Sequence, residues 1–281
     1  MSSGRLTALL TIAWAVVAAA PAARTAAEEA SPPPRQEPAP SFSSLRGEIG
    51  GPQPLALIVR WAGQAAAKVE KEIHDYSAVL ARRDRPDTDK PDYVFVKVRH
   101  QPFSVYAYVL SPPADAGKEA IYVEGRNDGK LIGHTTGLLG WAAGSRALDP
   151  TDPLIMQGHR HPITETGILH LIRQIEAFAK MHVRQSGCTV EALPGASVND
   201  RKATCVRVAF PLATAKLKAC LIRVFIDDEL QLPTRYEYYE WPRADGAAPV
   251  LMEEYTYLDV RLNPGFTDAD FDPKNKHYAF P

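Results

Sequence analysis

The stretch GHRHPITETG, Gly158 to Gly167, sets His159 and His161 one residue apart, with Glu165 four residues beyond the second. In extended chain alternate side chains share a face. The pair therefore has the spacing of two zinc ligands, and Glu165 has the chemistry to complete a site of the kind that activates water for hydrolysis. His134 is the other candidate imidazole, with a carboxylate or a metal as its partner. The competing reading is a helix start: Pro162 suits a first-turn position, Thr164 a cap, and Glu165 the turn where the helix dipole favours negative charge. The chain offers no second His-x-His, no His-Glu-x-x-His and no Cys-x-x-Cys to add ligands at a recognised spacing. A helix start is therefore the expectation, with no cofactor and no metal. A metal-dependent hydrolase using the His159/His161 loop stays open as the alternative.

Other motifs narrow the chemistry. Residues 267–272, TDADFD, begin like a calcium loop. In that register the sixth position is Pro273, where glycine is needed, and the twelfth is Ala279, where a bidentate glutamate belongs. An EF-hand is excluded, and Thr267 with Asp270 and Phe271 reads as the capped start of a short helix that docks one aromatic ring. There is no Gly-x-Ser-x-Gly elbow, no phosphate loop and no Gly-x-Gly-x-x-Gly, so acyl transfer and nucleotide chemistry lack their usual local geometry. No catalytic residue is assigned. Asp227-Asp228-Glu229 reads as a solvated turn between strands, and the tyrosines of YEYYEW and EEYTYLDV, alternating with charges, as sheet packing.

The elements that would position these residues follow from composition and periodicity. Of 281 residues, 45% are hydrophobic and 23% charged, enough to bury the core of one large domain. The formal net charge is -1 with both signs interspersed, which leaves no basic stripe for phosphates, so nucleic acid is not an expected partner. Arg5 precedes the apolar run LTALLTIAWAVVAAA, which ends in small residues. This is the pattern of a secretory signal, and it falls short of the roughly 20 apolar residues of a membrane span. The first cysteine is Cys188, so no lipid acceptor follows the apolar run. The expected organisation is a signal peptide over 1–27, a disordered Pro-rich linker over 28–54 and a single domain over 55–281, exported to the periplasm or the extracellular space. No integral membrane span remains after cleavage, and a monomer is expected.

Within that domain Ile58, Trp61, Ala65, Val69 and Ile73 recur at helical spacing, and Ile168, Leu171, Ile172, Ile175, Phe178 and Ala179 form a second apolar stripe. Between and after them the period is two. DYSAVLARRD, DYVFVKVRH and FSVYAYVL read as strands, and EAIYVEG and KLIGHTT as a hairpin about Arg126-Asn127-Asp128-Gly129. From Val183 five more strands follow. The fold class is α+β: a large curved antiparallel sheet, an unclosed half-barrel of about ten strands, wrapped around two or three helices. The apolar strand face, Val94, Val96, Phe103, Val105, Val206, Val208, Phe210, Ile222 and Val224 among its residues, must meet helices or a ligand. These nine are the candidate ligand-binding residues. If helices cover the face fully, the chain is a protein–protein interaction module; if a few hundred cubic ångströms remain, an apolar ligand fits.

Strand parity also selects a cysteine pair. A hairpin of CTVEAL and ATCVRV about GASVND centres between Ala196 and Ser197 and sets Cys188 opposite Cys205 on a polar face, while Cys220 lies on the apolar side. A Cys188–Cys205 disulfide is expected, with Cys220 a buried thiol.

Five blocks carry a family resemblance: RHQPFSVYAYVLSP, IYVEGRNDGKLIGH, HRHPITETGILHLI, IDDELQLPTRYEYYEWP and EEYTYLDVRLNPGFTDADFD. From about residue 56 to the C-terminus the chain resembles a bacterial family of exported proteins known as a domain of unknown function, numbered fifteen seventy-one. The last two blocks also resemble the lipoprotein-carrier (LolA-like) architecture, through Asp227, Leu232-Pro233, Asn263 and Phe271. That resemblance implies an unclosed antiparallel barrel around helices, with an apolar cavity for a lipid or a lipoprotein acyl chain, and a binding protein more than an enzyme. The Gly137–Pro162 loop departs from the carrier pattern and has the length to fill or cover the cavity.

Overall fold

The structure is a computed structural model that describes residues 53–84, 90–135, 144–153, 155–156, 159–211 and 217–281. The expected signal, nearly all of the expected linker and parts of the Gly137–Pro162 loop lie outside the described residues. The chain begins with helix α1 (Pro54–Glu72), continues through strands β1 (Asp75–Arg83), β2 (Asp92–His100), β3 (Phe103–Ser111), β4 (Glu119–Val123), β5 (Leu131–His134) and β6 (Arg146–Leu148), and enters helix α2 (Ile168–His182). Strands β7 (Thr189–Val198), β8 (Arg201–Ala209), β9 (Ala219–Asp227), β10 (Pro233–Glu240) and β11 (Val250–Leu262) complete it.

All eleven strands form one sheet in the order β6-β5-β4-β3-β2-β1-β11-β10-β9-β8-β7. Two antiparallel meanders are thus joined where the last strand pairs with the first, Leu80 opposite Tyr257. The outer strands β6 and β7 do not pair with each other, so the sheet is unclosed. Period-two alternation puts Val94, Val96, Val98, Val206, Val208, Ile222, Val224 and Ile226 into one core with the buried stripes of both helices. Pro54 occupies the first turn of α1, where its missing N–H costs nothing. Small buried residues, Ala62, Ala66 and Ala179, line the helix stripes.

On the outer face of the sheet the C-terminal segment lies across β2 to β4. Phe271 packs with Tyr106, Ile121 and Val123, and Phe266, Tyr278 and Phe280 border that cluster. Lys97 extends from this face into a cage of Phe266, Tyr278 and Tyr106, its Nζ at 5.0, 5.4 and 5.8 Å from the ring centres, and binds Asp270 at 2.8 Å. The expected capped start at Thr267 is present as a capping box with Asp270. The hairpin turn also has the expected backbone, with φ of 53°, 55° and 76° at Asn127, Asp128 and Gly129.

Four expectations need correction. The apolar period of α2 begins at Ile168, and the segment before it is a separate 3-10 turn, Ile163–Glu165, followed by Gly167 at φ 125°. Thr164 does not cap α2; the hydroxyl of buried Tyr76 on β1 accepts the Ile168 N–H at 2.8 Å instead. The strand expected from Val183 starts at Thr189, because Val183 still holds helical backbone angles. The β7–β8 hairpin turns at Asn199-Asp200, whose φ of 50° and 60° suit a tight turn, and it absorbs Gly195 as a bulge. Cys205 therefore faces Leu193, and Cys188 sits about 16 Å further along the strand on the other face. That is well beyond the roughly 7 Å between Cα atoms that a disulfide spans, and all three cysteines are free and buried. Finally, Asp227 is not a solvated turn residue. It is 1% exposed, its carboxylate is gripped by Arg201 Nε and Nη2, and it accepts the N–H groups of Glu229 and Leu230 at 2.9 Å.

Candidate functional site

The helix-bearing face of the sheet is apolar in its middle. There α1 contributes Leu55, Ile58 and Trp61, α2 contributes Ile175, Phe178 and Ala179, and the sheet contributes Val206, Val208, Ile222, Val224 and Tyr236. The three- and four-residue spacing on the helices and the alternation on β8 and β9 aim these side chains at one another. They enclose about 30 Å³, room for a body the size of one water. A ligand pocket takes roughly 300 to 1,000 Å³, so this seam is closed as it stands.

Of the nine candidate ligand-binding residues, Val206, Val208, Ile222 and Val224 line the seam. Val94 and Val96 are buried in the same core, and Phe210 stands edge-on to Phe178 with ring centres 5.9 Å apart. Val105 is fully buried opposite Val98, and Phe103 borders a separate cleft. The face is continuous, but its residues do not share one space. The six helix residues were missed as lining because a helix stripe read alone indicates only that it is buried, and Tyr236 on β10 because its alternation with charges reads as sheet packing.

Toward the ends of β1 and β11 the same face becomes polar. His161 places Nδ1 at 2.9 Å from Glu165 and Nε2 at 3.4 Å from Glu253. The hydrogen bond to Glu253 is the leading cause that lifts its pKa to about 9, against the opposing effect of burial. Both ring nitrogens donate to carboxylates, so His161 is a cation at neutral pH with no lone pair for a metal or a proton. Glu253 also takes Arg160 Nε at 2.7 Å. His159 accepts from Arg82 Nη2 at 3.3 Å and turns Nδ1 toward Asp84, 3.8 Å away. Burial raises the pKa of the Asp84 carboxyl, but the polar hydrogens of nearby His159 and Tyr255 and the charge of Arg82 outweigh it and leave the group below the usual range. Burial, with Asp84 and Glu253 nearby, pushes the Tyr255 phenol far up.

The arrangement is a latch that ties the segment before α2 onto β1 and β11. His134 takes no part in it. It is buried opposite Glu119, its ring 5.9 Å from that of Phe280 beside the C-terminal segment. Among the described residues no group of three or more His, Cys, Asp or Glu is placed to hold a metal ion, and no helix is long and apolar enough to cross a membrane. Arg82, Asp84, Glu253 and Tyr255 were missed as partners of the histidines; their only sequence signal is alternation on two strands whose pairing is long-range.

With this geometry in hand, comparison with known proteins is informative. The model of a family described as a protein of unknown function, DUF1571, matches residues 73–280. The chain belongs to that family. The DUF1571 match spans every strand, the latch and α2, and begins directly after α1. No curated protein matches the chain. Among solved structures, the lipoprotein LppX of Mycobacterium tuberculosis is similar at 12% identity and a TM-score of 0.42, covering 77% of this chain and 99% of its own. A domain of a putative outer membrane lipoprotein-sorting protein from Vibrio parahaemolyticus is similar at 9% identity and 0.36, covering 76% and 95%. A LolA superfamily protein from Nitrosomonas europaea stands at 11% and 0.30, covering 76% and 97%.

Proposed function

We propose that this DUF1571 protein is an exported, non-catalytic carrier that receives an apolar or acylated ligand between its helices and the apolar face of its sheet. The observation that carries this reading is the seam: eleven lining residues, ten of them without a polar side-chain atom apart from the Trp61 indole nitrogen, and the eleventh Tyr236, drawn from both helices and three strands. A seam of about 30 Å³ accepts an acyl chain only if the helices part from β8 to β10. Their parting exposes apolar surface at roughly 25 cal/mol per Å², and a chain of methylene groups recovers that cost by taking the helices' place. The unclosed sheet supports this, because no strand pairing across β6 and β7 has to break for the halves to spread. The apolar run after Arg5 supports export.

Trp61 provides the test, since it lines the seam. A fatty acid brominated along its chain should quench the tryptophan fluorescence of the purified protein, and Trp61→Phe should remove most of that quenching. Native mass spectrometry of protein extracted from its own host should show bound lipid. Protein that is repeatedly empty and unquenched would refute the carrier reading.

A further inference from the structure

A second space opens on the helix-bearing face, beyond the N-terminal end of α2 and over β2, β3 and β4. At about 290 Å³ it is far larger than the seam, and it shares no lining residue with it. Its walls are aromatic: the Phe103 ring stands edge-on to His170 with centres 5.0 Å apart and tilted to Tyr122 at 6.1 Å. Tyr122 near the end of β4 and Glu124, the first residue past it, both line the cleft. The Glu124 N–H donates to the Phe103 carbonyl at 2.8 Å, which fixes the acid beside that ring.

The charge balance of the cleft is one-sided. Neither lysine nor arginine lines it, and Glu124 is its only residue with a full formal charge. His100, also in the lining, has Nδ1 at 2.7 Å from the Ile73 carbonyl, so Nδ1 carries the proton and Nε2 is bare. Burial first, and His170 second among the lowering causes, keep His100 below its ordinary pKa and hence neutral. An anion entering here would meet a carboxylate and no fixed positive side chain. A cation would meet aromatic rings and a counter-charge that no ion pair occupies among the described residues, the combination that recognises ammonium groups.

We propose that this cleft binds a small organic cation, an alkylammonium group seated against Phe103 and Tyr122 with Glu124 as its counter-charge. The group belongs to a free amine or to a lipid headgroup, and both sources present the same chemistry. The proposal uses none of the seam residues, so it stands or falls apart from the carrier reading.

The test is titration of the purified protein, followed by calorimetry and amide chemical shifts, with choline and with a short-chain phosphatidylcholine below its micelle concentration. The control is 3,3-dimethylbutan-1-ol, the uncharged carbon isostere of choline. Either ammonium compound should bind and shift residues around Phe103 and Glu124, while the isostere should not; tighter binding of the phospholipid identifies a headgroup, tighter binding of choline a free amine. Glu124→Gln, at an exposed position, should weaken binding by about threefold to fivefold, and Phe103→Leu by a similar factor. Equal binding of the isostere, no response to Glu124→Gln in a folded variant, or no binding of either ammonium compound would overturn the proposal.

Discussion

Tyr76→Phe is expected to loosen the start of α2 while leaving the core filled. Tyr76 is 1% exposed, and its hydroxyl is the acceptor for the N–H of Ile168, itself 2% exposed. Phenylalanine keeps the ring in place and removes only that acceptor. A buried N–H left without a partner costs about 1–3 kcal/mol. Gly167 is the second arm of the reasoning. Its φ of 125° strains any other residue by about 1–3 kcal/mol, and a Cβ there meets the Tyr76 hydroxyl at 2.9 Å. Gly167→Ala is therefore destabilising for two reasons, of which Tyr76→Phe removes one. In a double-mutant cycle by urea unfolding, followed by tryptophan fluorescence, alanine should cost about 1 kcal/mol less in the Tyr76→Phe background than in the parent. Midpoints are comparable only if the denaturant slope is unchanged. A Tyr76→Phe change smaller than about 0.5 kcal/mol would show that this hydroxyl does not cap the helix, and strict additivity with Gly167→Ala that it does not crowd the glycine.

Stability should fall as the solution is made alkaline. The folded pKa of His161, about 9, lies above its unfolded value of 6.5, so its contribution is fully present below about 6.5 and is lost as pH rises through 9. After discounting for solvent screening the loss is about 1 kcal/mol, read as a fall in urea midpoint between neutral pH and pH 9 that is smaller by that amount in His161→Gln. Asp227→Ala strips Arg201 and two backbone N–H groups of their acceptor and should cost about 3 kcal/mol in the same assay. Peptide mapping under non-reducing conditions should return Cys188, Cys205 and Cys220 unlinked, and burial, which raises the pKa of each thiol, should make them slow to react with a thiol reagent until the protein unfolds. A Cys188–Cys205 cross-link would show that the observed hairpin register is wrong.

The sequence by itself determined the elements. Helix α2 coincides with ILHLIRQIEAFAKMH, and α1 holds the stripe from Ile58 to Val69 while its last expected member, Ile73, is the extended residue just past the helix, because each stripe repeats at 3.6 residues within a few turns of chain. The Asn127-Asp128-Gly129 turn and the Thr267 capping box were legible for the same reason: both are made by neighbours in sequence. Only tertiary structure decided what depends on distant partners. The pairing of β1 with β11 brings together residues some 180 positions apart, and no local pattern encodes it. It is this pairing that sets Arg82 against Tyr255, with Asp84 at its margin, and gives His159 and His161 their partners. Asp227 looked like a solvent-facing turn because its partner Arg201 lies 26 residues upstream on β8. The cysteine register failed first on the turn, which lies at Asn199-Asp200 and not between Ala196 and Ser197, and so carries Cys188 away along the strand; the bulge at Gly195 then exchanges its face. The volume of the seam was beyond the sequence for a further reason. It is the small remainder between the space bounded by two helices and three strands and the side chains that fill it, and close packing sets that remainder residue by residue.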